Sequence, residues 1–205
     1  MIVGVLTRSA RSSRIRQMTT SDLPRAALAP SVTVSGLGLH LRDWTDEDLP
    51  AMAALFDEPQ VDRWTPLRSP FTLETARAYL ARARQGRAAG LRLQLAVTED
   101  GGAPLGEVLL FRASPDERDA ELGYAIGAAH RRRGLATRAV RLMTDYAYDT
   151  LAMDRVLLRI APDNEASAAV ARSAGFRLTD DEPVVRDRGD GTVSLLTWRH
   201  DRGSE

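Results

Sequence analysis

The stretch HRRRGLATRAV, residues 130–140, sets three consecutive arginines, Arg131, Arg132 and Arg133, in front of Gly134 and then opens an apolar period that reads as a helix. A helix N-terminus leaves its first backbone N–H groups without partners and carries about half a positive charge from the macrodipole. Its natural ligand is an anion. Gly134 and Ala136 are small enough for the backbone to approach that anion closely, and the arginines add charge around the same point. A pyrophosphate is the anion such a turn most often cradles. The turn is not a Walker loop, because no Gly-Lys-Ser/Thr follows, and it lacks the Gly-x-Gly-x-x-Gly spacing of dinucleotide folds. On its own, Arg-x-x-Gly-x-Gly/Ala is a weak signal, and a helix start with solvated arginines is its plain alternative.

The elements around the turn decide what it is for. Alternating apolar residues through SVTVSGLGLHLRDW predict a strand, and TDEDLPAMAALFDE predicts a helix capped by Thr45. TLETARAYLARARQG predicts a second helix, capped by Thr72 and stopped at Gly86. The meander LRLQLAV, PLGEVLLFR and DAELGYAIG follows and feeds directly into the arginine turn. After the turn come a long amphipathic helix, LATRAVRLMTDYAYDTL, then the strand DRVLLRIAP, the helix NEASAAVARSAG and the strands FRLTDD and TVSLLTWRH. That order describes an α/β or α+β domain, one mixed sheet with helices on its faces.

Composition narrows the chemistry. The 205 residues are 43% apolar, enough for one cored domain, expected over residues 31–205, with an appendage at 1–30. That appendage carries Arg8, Arg11, Arg14, Arg16 and Arg25 against Asp22 alone, which is +4 and leaves −4 for the remainder of a formally neutral chain. It reads as a loosely held basic arm, and a start codon placed too early, an organellar presequence or a nucleic-acid arm are alternative accounts. The absence of cysteine excludes disulfides, thiolate metal sites and a cysteine nucleophile. His40, His130 and His200 show no metal-ligand spacing, so no metal is expected. No apolar run approaches the roughly 20 residues that span a bilayer, and the expectation is a soluble, cytoplasmic protein without a membrane partner. All of the positive charge is arginine, a residue suited to phosphate and carboxylate, although base composition alone produces such a bias.

The block AELGYAIGAAHRRRGLATRAVRLMTDYAY through RVLLRIAPDNEASAAVARSAGFRL resembles the GNAT superfamily of acyl-CoA-dependent N-acetyltransferases, most closely the branch of ribosomal-protein alanine N-acetyltransferases. LRDWTDEDLPAMAALFDEPQVDRW and TLETARAYL resemble that branch's two opening helices, so the likeness covers about residues 33–200. It implies a mixed, mostly antiparallel central sheet flanked by helices, with acetyl-CoA as co-substrate. It also implies transfer of the acetyl group to a primary amine, either a protein N-terminus or a small molecule.

By the same resemblance, the pantetheine lies along YAIGA, against backbone groups of Ile126 and Ala128. The backbone from Arg131, Arg132, Arg133, Gly134 and Leu135 to Ala136 holds the pyrophosphate, with the Thr137 hydroxyl in support. Asn164 and Ser167 stand where a second helix begins beside the thioester; as a plain alternative, Asp163 or Asn164 is a good helix cap whatever the function. Ser167 is the candidate donor to the departing thiolate, because the family's tyrosine acid, four residues further on, is replaced by Ala171. An amine must lose a proton before it attacks, and Glu121 is the candidate base, with Glu107 behind it. Arg159 stands where some relatives carry a glutamate. Tyr124, Trp44, Trp64 and Phe71 are candidates for the acceptor pocket or for plain core. Two other classes stay open: a catalytically reduced acyl-CoA sensor, and nucleic-acid binding through the arm. A homodimer is also compatible with the sequence. The body's charge of −4 leans toward a cationic acceptor.

Overall fold

The computed structural model describes residues 28–112, 118–187 and 191–203. The expected arm therefore lies almost wholly outside the described residues. Its last part is not loose, since Leu28 is buried in the main core at 7% exposure.

The first alternating run is a hairpin rather than one strand. Leu37 and Gly38 both have left-handed φ, +51° and +68°, so β1 (Val34–Gly36) folds back onto β2 (Leu39–Asp43). Thr45 caps a single 3-10 turn, in which its N–H donates to Asp48 Oδ2 at 2.8 Å, and helix α1 starts only at Leu49–Phe56. A further helix, α2 (Pro59–Trp64), follows at once. The Glu58 carboxylate accepts from the N–H groups of Gln60 and Val61, both at 3.2 Å, and Pro59 needs no acceptor at the first position. Helix α3 (Leu73–Ala88) begins at Thr72 as expected but runs through Gly86, because its buried face, Ala76, Tyr79, Leu80 and Ala83, is already anchored.

Strands β3 (Arg92–Thr98), β4 (Gly106–Arg112) and β5 (Asp119–Ile126) form the meander. Helix α4 (Leu135–Asp149) then crosses to β6 (Arg155–Ile160), and α5 (Glu165–Ser173) leads to β7 (Arg177–Leu178), β8 (Val184–Asp187) and β9 (Thr192–Asp201). The sheet order is β1-β2-β3-β4-β5-β6-β9-β7, with β8 paired to β9, and β5–β6 is its one parallel pair among the described residues. Parallel neighbours need a crossover, and α4 is that crossover.

Helices α4 and α5 cover one face of the sheet. Leu135, Ala139, Val140, Met143 and Ala147 of α4 are buried at helical spacing against Leu95, Val108, Leu122 and Leu158. Each large side chain buried there stabilises by roughly 1.5–3 kcal/mol. On the other face α1, α2 and α3 close a smaller core around Trp44, Phe56, Phe71 and Tyr79, whose rings meet edge to face. The β5–β6 ladder runs from Asp119 opposite Arg155 to Leu122 opposite Leu158 and then stops, so the two strands part in the middle of the sheet.

Candidate active site

The arginine turn sits at the open end of that gap. Gly134 is the N-cap of α4 with φ +71°, and Arg132 also has left-handed φ, +61°. Left-handed residues of this kind turn successive amides toward one point. The first hydrogen bond of the helix is Arg138 N–H to Gly134 O at 3.1 Å, which leaves the N–H groups of Leu135, Ala136 and Thr137 outside its ladder. A Cβ placed on Gly134 would meet no atom within 4 Å, so the space in front of the turn is open to a ligand.

The arginine side chains do less than their number suggests. Arg131 donates to both Glu58 oxygens, at 3.1 and 2.6 Å, and to Gln60, while its Nε binds the Ile126 carbonyl at 3.0 Å. Arg133 is spent on both oxygens of Glu99, at 2.9 Å. Arg131 thereby ties the turn to the cap of α2, and the groups left open at the turn are the backbone N–H groups of Leu135 to Thr137.

A cleft of about 490 Å³ runs from the turn through the parted strands. It is lined by Tyr124, Ala125 and Ile126 of β5, by Arg131, Arg132, Gly134, Leu135, Ala136 and Thr137, by Asn164 and Ser167, and by Val61 and Trp64 of α2. These wall residues come from elements on both faces of the sheet, so the gap passes through it. Of the expected site residues, Ala128, Arg133 and the candidate base Glu121 do not line the cleft. Strand β5 ends at Ile126, and Ala128 lies on the 3-10 turn that follows, exposed. The open strand edge beside the gap is accordingly Gly123–Ile126. Trp44 and Phe71 belong to the smaller core, whereas Trp64 and Tyr124 do reach the cleft.

Asn164 caps α5, accepting the Ser167 N–H at 3.0 Å. Helix α5 turns Asn164, Ser167 and Val170 to the cleft and Ala171, fully buried, to the core. The Tyr124 hydroxyl donates to the Ser167 carbonyl at 3.4 Å, and burial pushes it up to about 12, so it keeps its proton at any working pH.

Three rows of side chains cross the face of the sheet opposite α4. Strand register aligns Ala96, Glu107 and Ala125 in the first, Gln94, Leu109 and Gly123 in the second, and Arg92, Phe111, Glu121 and Leu157 in the third. At Gly123 an added Cβ would stand 2.4 Å from Leu109 Cδ1, so that leucine tip would have to move aside. Glu121 is buried on this face, both oxygens held by Arg186 of β8 at 2.8 and 2.6 Å, with Arg159 Nε 3.7 Å away. Glu107 is sealed beneath α3. It accepts from the Tyr79 hydroxyl at 2.7 Å and Gln94 Nε2 at 3.0 Å, and burial pushes it up to about 7.

Sequence reasoning missed α2 and β8 as elements, and with them Val61, Glu58 and Arg186, although it had singled out Trp64. The Glu-Pro pair at 58–59 was the available signal for α2. Nothing local marks Arg186, whose importance comes only from folding β8 over the sheet.

A mostly antiparallel sheet, split at its one parallel pair beside an anion-ready helix N-terminus, is the architecture of acyl-CoA-dependent acyltransferases. Residues 38–177 match the family model described as "Acetyltransferase (GNAT) domain", and the chain belongs to that family. It is 28% identical over 143 residues to the uncharacterized N-acetyltransferase YoaA of Bacillus subtilis, covering 68% of this chain and 79% of that one. It is 32% identical over 107 residues to spermidine N(1)-acetyltransferase of Escherichia coli, covering 51% and 58%. The solved structure of Mycobacterium smegmatis RimJ in complex with CoA-disulfide has the same fold, with a TM-score of 0.69, 20% identity and coverage of 84% and 87%. The chain is thus an N-acetyltransferase that takes acetyl-CoA as donor. Among the described residues there is no group able to hold a metal ion and no helix long and apolar enough to cross a membrane.

Proposed function

We propose that acetyl transfer takes place where β5 and β6 part, between the Gly123–Ile126 edge and the first turn of α5. The single observation that supports this is the cleft that joins the open N-terminus of α4 to the gap. The free amides of Leu135 to Thr137 and the open space before Gly134 fit a pyrophosphate. From there a pantetheine would follow the unpaired edge of β5 toward Ser167.

The acceptor is a primary amine, the class to which the relative named for spermidine also points. It enters from the α1–α3 face. The ammonium first gives a proton to a carboxylate, directly or through water; the neutral nitrogen then bonds to the thioester carbonyl carbon, and collapse of the tetrahedral adduct, with loss of a second N–H proton to solvent, breaks the C–S bond and releases CoA thiolate. Of the two buried glutamates on the acceptor face, Glu121 is the one not sealed beneath α3, and it receives the proton on a lone pair that Arg186 leaves open. The Ser167 and Tyr124 hydroxyls are the two donors beside the leaving sulfur. Calorimetry with CoA, followed by mass-spectrometric detection of acetylated product from a panel of primary amines, tests this reading. A folded protein that binds no CoA would refute it.

A further inference from the structure

The floor of the acceptor side is cationic, and that constrains what kind of amine it takes. Along the face opposite α4, Arg159 and Arg186 stand around Glu121 beside the end of the β5–β6 ladder, while Arg92 lies two strands away, where its charge acts on Glu107. Arg199, further along the same face, is paired with Asp201 at 3.1 Å. Arg92 is held by aromatic rings, its guanidinium 5.5 Å from the Tyr79 centroid and 4.7 Å from that of Phe111, and it makes no ion pair among the described residues. Arg159 donates to the Thr197 hydroxyl, and its Nε is buried without a hydrogen-bond partner. A buried donor of this kind costs free energy unless something accepts from it. Arg186 is 46% exposed at its side chain, so its guanidinium stays accessible while it holds Glu121.

We infer that this enzyme's acceptor is a primary amine that also carries a carboxylate a few bonds away, seated on Arg159 and Arg186. The inference rests on the reading that acetyl transfer occurs at the β5–β6 gap. An ammonium without such a group would arrive beside two guanidinium charges that share one carboxylate, Glu121, an arrangement that disfavours polycations. A carboxylate is matched by the planar fork of arginine, and a charge-assisted hydrogen bond to it contributes about 1.5–3 kcal/mol. It also competes with Glu121 for Arg186, so a correctly charged acceptor frees the base that its own ammonium needs. The chain's overall charge points the other way, but groups within a few ångströms outweigh distant screened ones. The same chemistry has two sources, a free amino acid and a peptide N-terminus followed by an acidic residue.

The test compares kcat/KM for glutamate, the peptide amide Ala-Asp-Ala-Ala, its neutral Ala-Ala and cationic Ala-Lys counterparts, and spermidine. One or both carboxylate-bearing amines should exceed the neutral peptide by about 10-fold or more, and which of them does so identifies the source. Arg186→Gln and Arg159→Gln should each lower the ratio of kcat/KM for the carboxylate-bearing amine to that for the neutral peptide by about 10-fold or more, a ratio that cancels any effect on Glu121 common to both substrates. Spermidine or the lysine peptide as the preferred substrate, or equal rates across the panel, overturns the inference and leaves the acetyltransfer reading intact. CoA binding without turnover of any amine overturns both.

Discussion

Glu121 and Arg186 form a two-pronged pair between the middle of β5 and the strand that folds over it, at 2.8 and 2.6 Å. Each carboxylate oxygen keeps a second lone pair beside its arginine hydrogen bond, and that is where a proton from the acceptor would be received. Glu121→Gln should therefore lower turnover by about 10²-fold or more near neutral pH, with CoA affinity unchanged and partial recovery as the pH rises. A pH–rate profile decides the point, because a purely structural Glu121 would shift stability and leave the profile's shape alone.

Gly134 adopts φ +71° with nothing within 4 Å of its missing side chain. Gly134→Val should cost the fold about 1–2 kcal/mol for the left-handed backbone and cost CoA binding far more, since the valine fills the ligand's space. Calorimetry on the folded variant should show affinity reduced by at least about 10-fold, and unchanged affinity would remove the turn from the donor site.

At the sulfur end, Ser167→Ala and Tyr124→Phe should each slow the chemical step by about 10-fold to 100-fold in single-turnover experiments, with donor affinity little changed. Reintroducing a tyrosine through Ala171→Tyr should fail. Ala171 is fully buried against the core, so the ring would overpack it at a cost of about 1–3 kcal/mol, measurable as a lower Tm, without reaching the cleft.

Glu107 is expected to govern how stability responds to pH. Burial raises its folded value to about 7, above its ordinary one, so the stability it contributes is complete below about 4.5 and declines as the pH rises through 7. Glu107→Gln retains a partner for Tyr79 and removes the ionisation. It should flatten the urea-denaturation midpoint between pH 5 and 8 and leave the variant more stable than the parent at pH 8, on the order of 1–3 kcal/mol.

The turn and helix start of the candidate donor site were legible in the sequence because they are local. A strand, a short turn with Gly134 and a helix start lie within a few residues, and their backbone geometry follows from residue type. Asn164 as a cap was readable for the same reason. The acceptor half was not, because it is assembled by strand register: Arg92, Glu121 and Arg186 are brought together from β3, β5 and β8. The alternating run before Trp44 hid its hairpin, since alternation continues on both sides of a turn that a left-handed leucine makes possible. Likewise, counting arginines overstated the cation density at the turn, because Glu58 and Glu99, each claimed by one of them, are far away in the chain.

A gap that passes through a sheet has two mouths. With CoA filling the one at α4, the other stays open to the amine, so donor and acceptor need not queue for a single doorway. Steady-state kinetics should then show intersecting double-reciprocal lines, the signature of both substrates held at once. The acetylated product can leave by its own side while CoA is still seated, and retained CoA would inhibit competitively against acetyl-CoA but not against the amine.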